Sequence, residues 1–188
     1  VYGGVAGDVM GQDCLKMQAL HDPDETVLDE EMARATAPFA QKPGDVTALR
    51  DKLLDVMWED VGVMRDAGGL QRGLQRIDEI DDALSSTGVA ADNLAFNLSW
   101  HDWLNLRSLV DMSRVIAQSA LSRENSRGAH FREDHPDAGA MQDSYFTLAT
   151  GSDKNISVAR APVQFTIVKP GETLLGADEA ETLVGAAE

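Results

Sequence analysis

The fold of this chain is decided by one stretch of its sequence, Trp100-His-Asp-Trp-Leu-Asn-Leu-Arg-Ser-Leu-Val-Asp-Met-Ser-Arg-Val-Ile-Ala-Gln-Ser-Ala-Leu121. One stripe at helical spacing consists of Trp103, Leu106, Val110, Ser113, Ala117 and Leu121. A second stripe beside it consists of Leu109, Met112 and Ile116. So broad an apolar face predicts a long central helix that packs against both of its neighbours. Ser99 and Asp102 resemble a capping box, which predicts that this helix begins at about Trp100.

Two amphipathic helices are predicted before the central one. Over residues 46–64, apolar side chains recur at helical spacing at Leu49, Leu53, Met57, Val61 and Met64. Over residues 70–86, the inward positions are Leu70, Leu74, Ile77 and Leu84. Gly68-Gly69 is expected to separate these helices, and Gly88 is expected to end the second. The three helices predict a mainly α fold, an antiparallel three-helix bundle that resembles a spectrin repeat, with a small β-containing C-terminal extension.

The flanking segments divide the chain into three predicted regions. Residues 1–20 form a helix of small residues that needs a partner surface, and residues 25–41 form a charged helix after the turn at Asp22-Pro23-Asp24. Beyond Pro136 the sequence predicts strands at Ser144–Thr150, Ile156–Arg160 and Val163–Val168, a turn at Gly151–Asn155 and a frayed tail after Leu175. The predicted regions are therefore residues 1–44, the bundle at 45–136 and the extension at 137–188.

Composition excludes several classes of function. The net charge of -16 over 188 residues argues against binding to nucleic acid or to an anionic membrane surface, because an acidic protein repels phosphate. Cys14 is the one cysteine, so the chain forms no internal disulfide and no cysteine-based metal site, which fits a reducing cytoplasm. No apolar run approaches the roughly 18 residues that span a bilayer. Large core or interface side chains are expected at Trp58, Trp100 and Trp103.

Metal chemistry and nucleophilic catalysis find little support in the sequence. His130 and His135 stand five residues apart, whereas a helical zinc pair needs histidines four residues apart on one face. Cys14 has no histidine close to it that would mark a catalytic pair, and Gly3-Gly4-Val-Ala-Gly7 follows no strand, as a dinucleotide fingerprint requires. We therefore predict no metal site and no catalytic residue in this chain.

A basic island interrupts the acidic chain between residues 107 and 132. It holds five arginines, Arg107, Arg114, Arg123, Arg127 and Arg132, against Asp111 and Glu124. Forked arginine contacts suit a dicarboxylate or a phosphate, but arginines also bind helix C-terminal carbonyls and the carboxylates of a neighbouring domain. The second interpretation is favoured for the first two arginines. Both stay open for Arg127 and His130, which we expect at the end of the third helix, with Arg127 bound to the chain's own polar groups.

The same island carries a family motif. Glu124-Asn-Ser-Arg-Gly-Ala-His-Phe-Arg-Glu-Asp134 resembles the Glu-Ser-Arg-Gly-Ala-His-x-Arg-x-Asp motif of the flavoprotein subunit of succinate dehydrogenase and fumarate reductase. L-aspartate oxidase has a related version. This chain departs from the motif at Asn125, which separates the glutamate from the serine. Further matching segments are Ala117-Gln-Ser-Ala-Leu-Ser-Arg123, Trp103-Leu-Asn-Leu-Arg-Ser-Leu109 and Leu54-Asp-Val-Met-Trp-Glu-Asp-Val-Gly-Val-Met-Arg65.

The resemblance implies the C-terminal part of an FAD-dependent oxidoreductase that acts on CH–CH groups and transfers hydride between flavin and a dicarboxylate. Val1-Tyr-Gly-Gly-Val-Ala-Gly7 resembles the end of an FAD-contacting helix. On this view residues 1–44 are a remnant of the flavin domain and a linker, and the catalytic groups and FAD contacts lie upstream. The chain would brace the flavin domain and be inactive alone.

The resemblance also implies roles and partners. Arg127, His130 and Arg132 become candidates for interdomain or substrate-proximal contacts. Expected partners are the flavin-binding domain of the same polypeptide and an iron–sulfur subunit, without membrane insertion and in the cytoplasm. The alternative is an independent acidic helical module that binds other proteins.

Overall fold

The computed structural model describes residues 2–17, 19, 22–152 and 154–172. The chain forms two compact units, Val1–Ala37 and Pro38–Glu188. The first unit holds two helices, α1 (Tyr2–Lys16) and α2 (Glu25–Thr36), and neither contains a buried residue. The carboxylate of Asp24 caps α2 by accepting a hydrogen bond from the Thr26 N–H at 3.0 Å, which is the helix start that the sequence predicts.

The second unit is a helical bundle followed by a hairpin. Its regular elements are α3 (Val46–Glu59), β1 (Met64–Arg65), α4 (Ala67–Ser85), α5 (Leu98–Ser122), β2 (Phe131–Arg132), β3 (Tyr145–Ser152) and β4 (Asn155–Pro162). Short 3-10 helices span Ala37–Ala40 and Met141–Asp143. Each of the helices α3, α4 and α5 contacts the other two. The predicted fold class, a mainly helical bundle with a small β-containing extension, is therefore confirmed.

The core lies between α3, α4 and α5. Its buried apolar side chains are Leu53, Val56, Val61, Leu70, Ile77, Ile80, Leu84, Val89, Trp103, Leu106, Val110, Ala117 and Ala120. The indole N–H of Trp103 reaches the carbonyls of Leu84 and Thr87, at 3.3 and 2.8 Å, so its polar edge is also satisfied. The first predicted stripe of α5 faces this core. The second remains largely exposed, because α3 and α4 both lie on the other side of the helix.

Side-chain caps move the helix boundaries away from the predicted ones. Asn97, not Ser99, caps α5, and its Oδ1 accepts from the Trp100 N–H at 3.0 Å. Asp66 caps α4 by accepting from the Gly69 N–H at 2.8 Å. Gly68 and Gly69 therefore belong to the first turn of α4 and do not separate two helices. Trp58 was expected in a core or an interface and is 79% exposed, whereas Trp103 is buried.

The two strand pairs differ in how far they follow from the sequence. Strands β3 and β4 form an antiparallel hairpin, with Tyr145 opposite Pro162. Residue 153 of the predicted turn and the predicted tail after Leu175 lie outside the described residues. The strand predicted at Val163–Val168 is wrong: the Val163 N–H adds one bond to Ser144, and the ladder then ends because a 3-10 turn precedes Ser144. Strands β1 and β2 pair in parallel, which joins the loop after α5 to the α3–α4 connection.

No helix in the described part of the chain is long and apolar enough to cross a membrane.

Candidate functional site

The segment that follows α5 turns back on the helix and closes a compact loop. Arg127 and His130 exchange backbone hydrogen bonds at 2.9 and 3.0 Å across a tight turn. Gly128 makes this turn possible, because its φ of +56° lies in the left-handed region that side chains disfavour. Strand β2 then places Arg132 beside Arg65 of β1. The loop thus lies at the end of α5, as the sequence predicts, and meets the α3–α4 connection there.

Arg132 is buried and holds the end of α5. Its Nη1 donates to the carbonyls of Ala120 and Leu121, each at 3.0 Å, in the last turn of the helix, where carbonyls lack intrahelical partners. The carbonyl of Ala120 also accepts from the Arg123 N–H at 3.3 Å. Its Nε and Nη2 form a fork with the two carboxylate oxygens of Asp134, each at 2.7 Å. The Asp134 carboxylate raises the pKa of Arg132. Arg132 therefore acts on the chain's own backbone, and both ends of its guanidinium are occupied.

Asp134 continues this contact to the start of α4. One of its oxygens also accepts the backbone N–H of Ala67, the first residue of that helix, at 2.9 Å. A helix N-terminus carries partial positive charge, which favours a carboxylate. The hydrogen bonds from Arg132, followed by the one from Ala67, hold the pKa of Asp134 well below its usual range. The motif's arginine and aspartate together join the end of α5 to the beginning of α4.

His130 bridges two arginines as a neutral imidazole. Its Nε2 lies 3.2 Å from the carbonyl of Arg123, and its Nδ1 lies 2.9 Å from Nη1 of Arg65. A carbonyl only accepts and a guanidinium only donates, so Nε2 carries the proton and Nδ1 accepts. Burial lowers the pKa of His130 most; the carbonyl of Arg123 opposes the shift, and nearby arginine charges add to it. Both ring nitrogens of His130 are therefore bound to other atoms of this chain.

Arg65 connects His130 to the end of α3. Its Nε donates to the carbonyls of Val61 and Gly62, at 3.0 and 2.6 Å. Its own carbonyl accepts from the Glu133 N–H at 2.7 Å. Burial lowers the pKa of Arg65 from its ordinary value. Arg65 was assigned no role of its own from the sequence, although it is the last residue of one of the segments that resemble the family.

Arg127 fastens the segment that leads into the hairpin. Its Nε donates to Ala138 O at 2.6 Å, its Nη2 to Ala140 O at 2.5 Å and its Nη1 to Ser144 Oγ at 2.7 Å. The expectation that Arg127 binds the chain's own polar groups is confirmed. Two interpretations were left open for Arg127, contact with a ligand and contact with protein groups. The structure favours contact with protein groups.

Arg123 links the motif to the hairpin. Its Nε donates to Asn125 Oδ1 at 3.1 Å, so the residue that departs from the family motif serves as its partner. Its Nη1 lies 3.3 Å from Thr147 Oγ1, and its guanidinium lies 4.9 Å from the ring centroid of Tyr145. The guanidinium of Arg160 lies at the same distance from that ring. Cations at this distance from an aromatic face are attracted to it.

A shallow groove of about 390 Å³ opens between this loop and α5. We call it the arginine groove. Its lining includes Arg65, Val115, Ile116, Arg123, Arg127 and His130. No Asp or Glu in the described part of the chain lines it. The groove is thus a positively charged concavity with an apolar wall, on a chain whose net charge is -16.

The arginines inside α5 have a purely structural use. Arg114, 2% exposed, donates from Nη2 to Asp78 Oδ1 at 3.0 Å and to Asp81 Oδ2 at 2.6 Å. Arg107 also binds Asp81. The sequence favoured carboxylates of a neighbouring domain as the partners. That detail was wrong, because the carboxylates belong to α4 of the same bundle.

Within the described residues, no three His, Cys, Asp or Glu side chains cluster closely enough to hold a metal ion. The described strands form a two-residue parallel pair and an antiparallel hairpin, whereas the dinucleotide-binding fold is built on an open, mostly parallel sheet.

Residues 50–174 match the family model described as fumarate reductase flavoprotein C-term. The chain belongs to this family. Over 191 aligned residues it is 28% identical to the fumarate reductase flavoprotein subunit of Haemophilus influenzae, covering 100% of this chain and 32% of that protein. It is 42% identical over 86 residues to L-aspartate oxidase 1 of Ralstonia nicotianae, covering 46% of this chain and 15% of that protein. The resemblance stated from the motifs is thereby confirmed.

A solved structure also matches the fold of this chain. A chain of the Mycobacterium smegmatis Sdh1 complex in the apo form superimposes with a TM-score of 0.68 at 27% identity, covering 88% of this chain and 29% of that one. The chain spans about a third or less of the length of the curated relatives it matches.

Proposed function

We propose that this chain is the C-terminal domain of an FAD-dependent flavoprotein of the succinate dehydrogenase and fumarate reductase type. The parent polypeptide transfers hydride between flavin and a dicarboxylate. The observation that carries the proposal is the family match over residues 50–174, which includes the motif loop at the end of α5. In this proposal the predicted division holds: residues 1–44 as remnant and linker, 45–136 as bundle and 137–188 as extension.

The chain's own contribution is to brace the flavin domain, and it is inactive alone. Arg127, His130 and Arg132, the sequence's site candidates, are engaged with the chain's own atoms, which suits a rigid support better than acid–base chemistry. Substrate and FAD contacts belong to the remainder of the polypeptide. An iron–sulfur subunit is the second proposed partner, and the cytoplasm is the proposed compartment.

The test compares the purified 188-residue chain with the full-length polypeptide that contains it. We expect the chain alone to carry no flavin absorbance and to support no succinate-dependent dye reduction, and the full polypeptide to show both. A stoichiometric flavin on the chain alone would overturn the proposed division of labour. A full-length polypeptide without flavin would favour the alternative, an acidic helical interaction module.

Bracing itself needs a separate measurement. In the full polypeptide, Arg132→Ala is expected to reduce flavin retention after gel filtration, because it loosens the joint between α4 and α5. Arg160→Ala is the matched control, since this half-exposed arginine makes a 3.4 Å pair with Glu124, a bond to the Ser122 carbonyl and a contact with the Tyr145 ring, and forms no hydrogen bond with α4 among the described residues. Equal flavin retention by both variants would show that this joint does not support the cofactor domain.

A further inference from the structure

The arginines around the arginine groove lack carboxylate partners. Arg65, Arg123 and Arg127 form no ion pair with any residue that the structure describes, although the chain carries 32 acidic residues against 16 basic ones. Arg132, in the same loop, pairs with Asp134. Asp66, next to Arg65 in the sequence, caps α4, and Glu124, next to Arg123, pairs with Arg160. Three arginines of an acidic chain thus lie together without an ion-pair partner among the described residues.

Two of these arginines also have a donor nitrogen that binds no acceptor among the described residues. Arg65 uses Nε and Nη1, and Arg123 uses Nε and Nη1, for the bonds described above. Nη2 of each donates no hydrogen bond within the described residues. A guanidinium offers five donors in a fixed fork, and carboxylate oxygens match that fork. The neutral His130 between them adds no negative charge, so the groove offers both charge and donors to an anion.

An apolar track leads along α5 into the groove. Leu109, Met112 and Ile116 are 44, 56 and 43% exposed, and they lie three and four residues apart on one helix face. Ile116 lines the groove together with Arg123, the residue that follows the end of α5. From Leu109 to Ser122 the helix rises about 20 Å. That length matches a polypeptide segment and exceeds what a small dicarboxylate can cover.

We propose that this face of α5 docks an amphipathic polypeptide segment, whose apolar side chains cover the track and whose carboxylate enters the arginine groove between Arg65 and Arg123. The inference rests on three observations: the arginines of the groove have no ion-pair partner among the described residues, Nη2 of Arg65 and of Arg123 has no acceptor there, and the apolar track lies beside them. It holds whichever polypeptide supplies the segment, so it does not depend on the flavoprotein assignment.

The test uses the full 188-residue chain and a labelled synthetic peptide with leucines at positions 1, 4 and 8 and glutamates in its last turn. We expect saturable binding by fluorescence anisotropy, weakened by added salt because exposed charges are screened. Arg123→Gln should weaken binding about tenfold. Lys42→Gln, at an exposed lysine that lines neither the groove nor the track, should leave it unchanged. Met112→Ser with Ile116→Ser tests the track without disturbing the core, and thermal melting verifies that each variant is folded.

Four outcomes overturn the proposal. A peptide with glutamine in place of glutamate binds as tightly, or Arg123→Gln behaves like Lys42→Gln, so carboxylate recognition is absent. At constant ionic strength, succinate or phosphate binds as tightly as the peptide, so the apolar track adds nothing and the groove takes a free anion. Sedimentation shows dimers that Met112→Ser with Ile116→Ser dissociates, so a second copy covers this face.

Discussion

Arg132 and Asp134 form a two-point ion pair, in which Nε and Nη2 of the arginine each reach a carboxylate oxygen at 2.7 Å. Each residue also holds a helix end: Arg132 binds the last carbonyls of α5, and Asp134 binds the first N–H of α4. The arginine and the aspartate of the motif are therefore required by the fold itself. A loop that resembles a substrate-binding element from its charge alone serves here as a joint.

Replacing Arg132 should destabilise the bundle strongly. In Arg132→Ala the carbonyl of Leu121 loses its donor, the carbonyl of Ala120 loses one of its two donors, and Asp134 loses its ion pair, so we expect a loss of about 3 kcal/mol in the free energy of unfolding. Arg132→Lys should fall between this variant and the wild type, since an ammonium cannot make the fork. Urea denaturation measures both. Arg160→Ala, the exposed control, should lose less than about 1 kcal/mol, and equal losses would contradict the role assigned to Arg132.

Asp81 is the second position where a buried charge decides stability. Its carboxylate, 3% exposed, binds both Arg107 and Arg114. Asp81→Ala leaves Arg114 buried beside fewer counter-charges, so the expected loss is about 3 kcal/mol. Asp78→Ala, which removes a half-exposed partner of the same arginine, is the matched control and should cost about 1 kcal/mol. Chemical denaturation of the two variants side by side checks the order, and the reverse order would rule out this account of the network.

Another backbone segment passes so close to Gly88 that this position has no room for a side chain. A Cβ on this residue would lie 2.2 Å from the carbonyl oxygen of Gln41 and 2.7 Å from that of Pro38. Because backbone cannot give way as a flexible side chain can, Gly88→Ala should lower stability by about 2 kcal/mol. Gly128→Ala is the comparison: nothing lies within 4 Å, but its φ is +56°, so it should lose about 1 kcal/mol. Thermal melts that rank Gly128→Ala as the more damaging would refute the steric explanation.

The bundle was predictable because its signal is periodic. Leu53, Leu70 and Leu106 recur with their neighbours at helical spacing, and all are buried. Helix starts were less certain, because several polar residues compete to cap the same turn. Asn97 caps α5 by geometry that the spacing of Ser99 and Asp102 does not reveal.

The candidate site was only partly predictable, because some of its contacts join residues that are far apart in the sequence. The contacts of Arg127 are close in sequence and were expected in kind. The bond between Arg65 and His130 joins residues 65 positions apart, through a parallel pair of two-residue strands too short to leave a pattern. Burial of Arg132 was hidden because a charged side chain gives no apolar signal. Tertiary pairing, not local propensity, assembles the arginine groove.

The bond from Arg65 to His130 predicts a pH dependence of stability. The folded state holds the pKa of His130 below 6.5, mainly by burial, whereas the unfolded chain returns it to about 6.5. As pH falls below about 6.5, the unfolded state gains a proton before the native state does, so the contribution of His130 is full above that pH and declines below it. Arg65 and Arg132 keep their charge through this window, because a guanidinium loses its proton only far above it, and Asp134 titrates far below it.

His130→Asn should therefore remove part of the acid sensitivity. We expect the difference in free energy of unfolding between wild type and variant to be largest near pH 7 and to shrink towards pH 5, measured by urea denaturation at each pH. His101→Asn, at an exposed position on α5, controls for the loss of a histidine as such. A difference that stays constant from pH 7 to pH 5 would mean that His130 contributes hydrogen bonds and packing alone, with no coupling between its protonation and folding.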